Sequence, residues 1–201
     1  MMKDVTGEVA AHRHPEHEIH PVFLNRWSPR SFSQKTVPDE ELFALFEAAR
    51  WAPSGNNQQP WRYIIARTAE DRAKFHSFIN PGNRVWCEKA PVLAVVLSKN
   101  TNHEGRPIRS HAFDAGASWA FLALEATRRG LITHAMGGFD RNKAREILRV
   151  PEEEYELHVV IAIGYRGDID ALPPDLRQRE KPSGRRPLNE TVFEGEFGQP
   201  V

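Results

Sequence analysis

The chain has one cysteine, no net charge and no long hydrophobic run, and each shortage closes off a class of protein. Cys87 has no partner for an intramolecular disulfide, so a disulfide framework is excluded and a reducing compartment is expected. The 27 basic and 27 acidic side chains cancel, which argues against a surface held to nucleic acid by bulk charge. Residues 92–97 are typical of the longest apolar stretches, far short of the ~20 residues that cross a bilayer. The first twenty residues carry no apolar core of the kind a signal peptide needs. A cytoplasmic protein without a membrane span is therefore expected. Catalytic templates are missing too: there is no GxSxG elbow, no HExxH, no Walker motif and no GxGxxG after a strand. Cys87 lies among Trp86, Glu88 and Lys89 with no identifiable base, which fits a buried structural thiol better than a nucleophile.

What is present can build one core. The 201 residues, 40% of them hydrophobic, fit a single domain with arms. Arginine outnumbers lysine 20 to 7. A GC-rich genome produces such an excess by itself, but Arg is also the residue of planar, bidentate contacts to phosphate and carboxylate, so where the arginines sit matters more than their number. Residues 1–20 are polar, with histidines at 12, 14, 17 and 20 and no periodicity. They predict a flexible arm, because a metal site would need a helix or hairpin to fix its ligands.

Leu42, Leu45, Phe46 and Ala49 form one apolar stripe and predict a helix over 38–50. Further helices are expected at 69–79, 83–89 and 141–149, and strands at 62–67, 92–98 and 158–165. Residues 51–61 and 99–110 read as loops. The helix expected over 112–129 is charged only at Asp114 and Glu125 between positions 113 and 126. A helix apolar on nearly every side must be buried on nearly every side, which a single small domain rarely achieves, so a homodimer is expected. From Arg166 onward the chain is rich in Pro and charge and ends in a strand-like patch at 191–197. Residues 171–201 are expected to form an arm wrapped over a neighbour.

Short polar clusters lie between these elements. Arg26, Ser28 and Arg30 alternate in NRWSPRSF, and Pro29 favours an extended Ser28, so the three side chains share a face. That is an anion cradle or a solvated edge. Pro53, Ser54, Asn56, Asn57 and Gln59 carry short amide and hydroxyl groups suited to the edge of a heterocycle, or to an ordinary Asn-rich turn. Met136, Gly137 and Gly138 would let backbone N–H groups approach a ligand closely. Arg185 and Arg186 offer another anion-binding pair, or a pair that is simply solvated.

Together, and in this order, RWSPRSF (26–32), APSGNNQQPW (52–61), GNRVWCEKAPVL (82–93), DAGASWAFLALEATRRGL (114–131), GGFD, IAIGYRGD (161–168) and RRPLNETVF (185–193) resemble the nitroreductase family of FMN-dependent oxidoreductases. The resemblance runs from about residue 21 to 201. It implies an α+β fold with a central, mainly antiparallel sheet flanked by helices, an FMN-binding domain over 21–170, and a homodimer that exchanges its C-terminal strand. It further implies FMN contacts from Arg26, Trp27, Ser28 and Arg30, from Asn83, from Met136, Gly137 and Gly138, and from Arg185 and Arg186, with Pro53, Ser54 and Asn57 supplied by the other chain. The Gly137 N–H would lie near flavin N5, no metal is needed, and no side chain need act as acid or base.

The activity implied is hydride transfer from NAD(P)H through flavin to a nitroaromatic, quinone or similar conjugated acceptor in a ping-pong cycle. A specialised flavin oxidase or dehalogenase of the same fold, or a non-enzymatic flavin-binding protein, is the alternative. Trp27 stands where the family often has a second basic residue, Gly55 where it commonly has Ser, and the segment after Ser98 is short. Family insertions that shape the acceptor pocket are therefore expected to be absent.

Overall fold

The computed structural model describes residues 4–200. At its centre is a four-stranded sheet in the order β1-β2-β4-β3, every neighbour antiparallel. The strands are β1 (Trp61–Ala66), β2 (Val92–Lys99), β3 (Ile132–Met136) and β4 (Tyr155–Gly164). The apolar run of β2 is buried along its whole length except at Lys99, as expected for a central strand covered on both faces. Val92, Ala94 and Val96 point to one face, Leu93, Val95 and Leu97 to the other.

Two layers of helices cover the sheet, giving an α+β fold. On the first face lie α3 (Asp39–Arg50) and α6 (His111–Arg128), with Leu42, Leu45, Leu122 and Ala126 meeting Ile161 and Ile163. On the second lie α4 (Ala69–Phe78), α5 (Pro81–Cys87) and α7 (Arg141–Leu148), which bring Phe75, Phe78, Trp86 and Ala144 against Leu93 and Val95. Local chemistry starts these helices. Thr68 accepts a hydrogen bond from the Asp71 amide and Asp140 from the Lys143 amide, so each satisfies an otherwise free N-terminal donor. Cys87 is fully buried, and desolvation pushes its thiol up to about 12, which leaves it inert.

The ends of the chain differ from expectation. Residues 4–20, expected as a flexible arm, dock on the domain: α1 (Gly7–Ala10) buries Val9, and the Thr6 amide donates to Asn25 Oδ1 at 2.9 Å. The sequence shows no periodicity in this stretch because one buried Val and a few polar contacts hold it. Two five-residue helices, α2 (Pro21–Asn25) and α8 (Pro174–Gln178), are too short to register as patterns; each begins at a proline. The strand expected at 191–197 does not form. Its backbone turns on itself, with Val192 N donating to Leu188 O and Glu194 N to Gln199 O, and Phe193 pairs only once, with Pro200. Among the described residues it pairs with none of the four strands.

Helix α6 buries Ala115, Ser118, Leu122 and Ala126, but its opposite side is bare, with Phe113 81% and Phe121 39% exposed. Among the described residues no helix is long and apolar enough to cross a membrane.

Candidate functional site

Arg26 ends α2 in an extended conformation, and the chain runs on irregularly to Phe32, which pairs with Arg166. Ser33 N donates to Tyr165 O and Gly167 N to Ser31 O. Only glycine permits this approach, since a Cβ at residue 167 would stand 2.5 Å from the Phe32 carbonyl carbon. So held, Arg26, Trp27, Ser28 and Arg30 line one cavity of about 310 Å³. Arg13, His134, Arg179, Lys181, Ser183 and Arg185 complete its wall. Arg26 Nη1 donates to Ser28 Oγ at 3.4 Å, and the Arg166 guanidinium covers the Trp27 ring at 4.5 Å.

Positive charge is crowded in this cavity. Burial, followed by the charge of Arg185, lowers the pKa of Arg26; burial, followed by Arg179, lowers that of Arg30 against an opposing pull from Glu180. Burial, then Arg185 and Arg26, brings Arg13 down to about 10. Cations that disfavour one another in a desolvated pocket gain stability from an anion placed among them. Burial also lowers His134, so its ring is neutral. A hydrogen bond of 3.0 Å joins Nδ1 to the Pro29 carbonyl, which makes Nδ1 the donor and leaves Nε2 an acceptor.

The segment that carries Arg30 is held by Glu180, whose side chain is wholly buried. Its carboxylate accepts from the Arg30 amide at 2.9 Å, the Ser31 amide at 2.8 Å and the Ser31 hydroxyl at 2.7 Å.

A second group lies where β3 ends. Asn83 Nδ2 donates to Gly138 O at 3.2 Å, and a Cβ at residue 138 would stand 2.6 Å from that nitrogen. Gly137 is exposed with open space beside it, and its N–H has no hydrogen-bond partner among the described residues. The Met136 side chain points into the core, so this residue offers only backbone to a ligand. His134, in the basic pocket, and Gly137 are three residues apart along one chain, roughly 10 Å at strand spacing.

The 53–57 loop stands apart, and Pro53, Ser54 and Asn57 do not line the basic cavity of their own chain. Asn56 and Asn57 adopt φ of 50° and 55°, which Asn tolerates better than most side chains. Ser54 Oγ accepts from Gln59 N, and the Gly55 amide donates to the buried Asp114 of α6 at 3.2 Å. Arg186 is also outside the cavity, paired with Glu190 at 3.3 Å in solvent.

The family model described as the nitroreductase family matches residues 24–85 and 78–165. The chain belongs to the nitroreductase family. A crystal structure described as an oxidoreductase containing FMN is 41% identical, with a TM-score of 0.89, and the alignment covers 93% of this chain and 96% of that one. A Rhodopseudomonas palustris (strain TIE-1) protein, whose name proposes an NADH dehydrogenase/NAD(P)H nitroreductase, is 26% identical over 179 residues, or 80% of this chain and 90% of that protein. The crystal structure of oxidized iodotyrosine deiodinase bound to FMN and 3-iodo-L-tyrosine shares the fold at 21% identity and a TM-score of 0.63, covering 88% of this chain and 97% of that one.

The matched nitroreductase region takes in Arg26 to Arg30, the 53–57 loop, Asn83 and Met136 to Gly138. Arg13, Arg179, Lys181, Ser183 and Arg185 line the cavity from outside it. Sequence reasoning missed Arg13, His134, Arg179, Lys181, Ser183 and Glu180. Local patterns carry no signal for them, since Arg13 and Ser183 meet across 170 residues and Glu180 and Arg30 across 150. It also missed a polar knot at the far end of the sheet, where Ser98 Oγ bridges His111 Nδ1 at 2.7 Å and His158 Nε2 at 2.6 Å.

Proposed function

We propose that this chain is an FMN-dependent oxidoreductase that passes a hydride from NAD(P)H, by way of bound flavin, to a nitroaromatic, quinone or similar conjugated acceptor, and that it works as a homodimer. The observation that carries this is the single run of β3 between two complementary sites. A desolvated cluster of arginines lies beside His134, and a free N–H lies beside Asn83 at Gly137. That spacing suits a phosphate at one end, a ribityl chain between and a ring at the other. The residues present fit the group, because several guanidiniums crowd one desolvated pocket and glycine leaves room for a flat ring at residue 137.

When bound, flavin supplies reversible two-electron chemistry at its N5. The protein holds and orients it. Arg26, Ser28 and Arg185 grip the phosphate and His134 Nε2 accepts from a ribityl hydroxyl, while Asn83 meets the pyrimidine edge. Arg30 would supply a fixed cation to the reduced ring, and a cation near the negative charge that accumulates on reduction favours the reduced state. The Gly137 N–H sets the ring's position for hydride transfer. A second copy of the chain covers the bare side of α6. Asp114 fastens the 53–57 loop to the same end of that helix as Phe113, so the copy that covers Phe113 also receives Pro53, Ser54 and Asn57.

Purified protein is expected to be yellow and to bleach on anaerobic titration with NADH or NADPH. A colourless preparation that takes up no FMN would overturn the proposal, and flavin that stays oxidised under both reductants would remove the reductase activity. Arg26→Ala is expected to weaken FMN binding by about 10- to 100-fold. Arg128→Ala, which removes only an exposed pair with Glu125, is expected to leave binding unchanged.

A further inference from the structure

The N-terminal segment has no part in the reading above and lies outside the family match, yet it delivers a cation to the pocket. Arg13 is 8% exposed. Its Nε donates to Ser183 O at 3.0 Å, and its Nη1 donates to Leu24 O at 2.5 Å and Arg26 O at 2.8 Å. None of these bonds uses Nη2, and no carboxylate pairs with the guanidinium among the described residues. The acceptors are all backbone carbonyls, which fix the side chain's direction but leave its charge uncompensated.

Two segments far apart in the chain meet at this one side chain. Leu24 and Arg26 belong to the stretch that begins the arginine cradle, and Ser183 to the stretch that brings in Arg179, Lys181 and Arg185. The clamp itself is anchored, since Arg13 N donates to Val9 O and Val9 is buried, while Thr6 N donates to Asn25 Oδ1 and Asn25 Nδ2 donates to Asp4 O. A purely structural clamp between carbonyls could be made by neutral donors without burying a charge beside two other arginines. An uncompensated cation is stabilised when its neighbour is an anion. The lowered pKa of Arg13, from burial and then Arg185 and Arg26, agrees with this crowding of positive charge.

We propose that Arg13 is a positioning residue for a phosphate monoester in this cavity, clamping the cradle's two segments together and adding its own charge to them. The proposal rests on the flavin reading above and names the group Arg13 serves, the phosphate rather than the ring.

Riboflavin, which has the ring and ribityl chain but no phosphate, separates the roles. Flavin-depleted protein is titrated with FMN and with riboflavin, following flavin fluorescence, and its melting temperature is read with and without inorganic phosphate. In Arg13→Gln the FMN dissociation constant is expected to rise about 10- to 100-fold, with riboflavin affinity unchanged, and the stabilisation by inorganic phosphate is expected to disappear. Arg13→Lys keeps the charge but cannot make the three carbonyl contacts, so it is expected to fall between wild type and Arg13→Gln; it serves alone if the Gln variant does not fold. Equal losses for FMN and riboflavin, or no loss for either, would overturn the proposal by reducing Arg13 to a structural clamp. A wild-type protein that binds neither flavin would instead overturn the flavin reading itself.

Discussion

Glu180 illustrates how much one buried side chain can organise. It faces two backbone amides and a hydroxyl, all donors, and the Arg166 guanidinium stands 3.8 Å away. An ionised carboxylate is acceptor-only and can satisfy every one of them. Glu180→Gln keeps the size but turns an NH₂ toward groups that also donate. It is expected to lower stability by about 2–4 kcal/mol in urea unfolding, because a buried hydrogen-bonded charge is lost and a donor is left unpaired. FMN affinity should fall with it, since Arg30 and Ser31 take their positions from this carboxylate. Neither Glu180 nor Arg13 stands out in the sequence, because what distinguishes them is who they meet after the whole chain has closed.

Among elements, the ones with strong periodicity were legible. The continuous apolar run of β2, the stripe of α3 and the apolar circumference of α6 all correspond to observed elements within a residue or two. Arg26, Ser28 and Arg30 line one cavity, but Trp27 lines it too, so the every-second-residue spacing of an extended chain is not what gathers them there. Elements made by tertiary contact were not legible: α1, α2 and α8 have too few residues to show a pattern. The exposed side of α6 carries the prediction at this scale. Phe113→Glu places a charge at the N-terminal end of the bare apolar face. If the proposed homodimer forms through this face, the substitution is expected to raise its dissociation constant by about 30-fold or more, read by light scattering across a concentration series. Weaker flavin binding should accompany it, because the 53–57 loop would lose its partner.

Across the whole molecule, three histidines in separate places have lowered pKa values, each chiefly from burial: His76 on α4, His134 on β3 and His158 on β4. The unfolded chain therefore binds more protons than the folded one in the window below the ordinary histidine value of 6.5. Stability is full above that value and declines as pH falls through the window toward the lowered folded values. The melting temperature is expected to be flat from pH 8 to 7 and to drop from about pH 6.5 downward. His158→Gln should make the drop shallower, and an unchanged slope would show that His158 contributes nothing to it.

The basic cavity draws on both ends of the chain, with Arg13 near the start and Arg179 to Arg185 near the finish. During synthesis the first half of that wall exists long before the second leaves the ribosome. On the proposed flavin reading, a ligand that needs both binds only once residues 179–185 have folded back beside Arg13. The bound phosphate would then act as a seal between these two segments, and a protease that cuts either of them would release flavin before it disturbed the sheet.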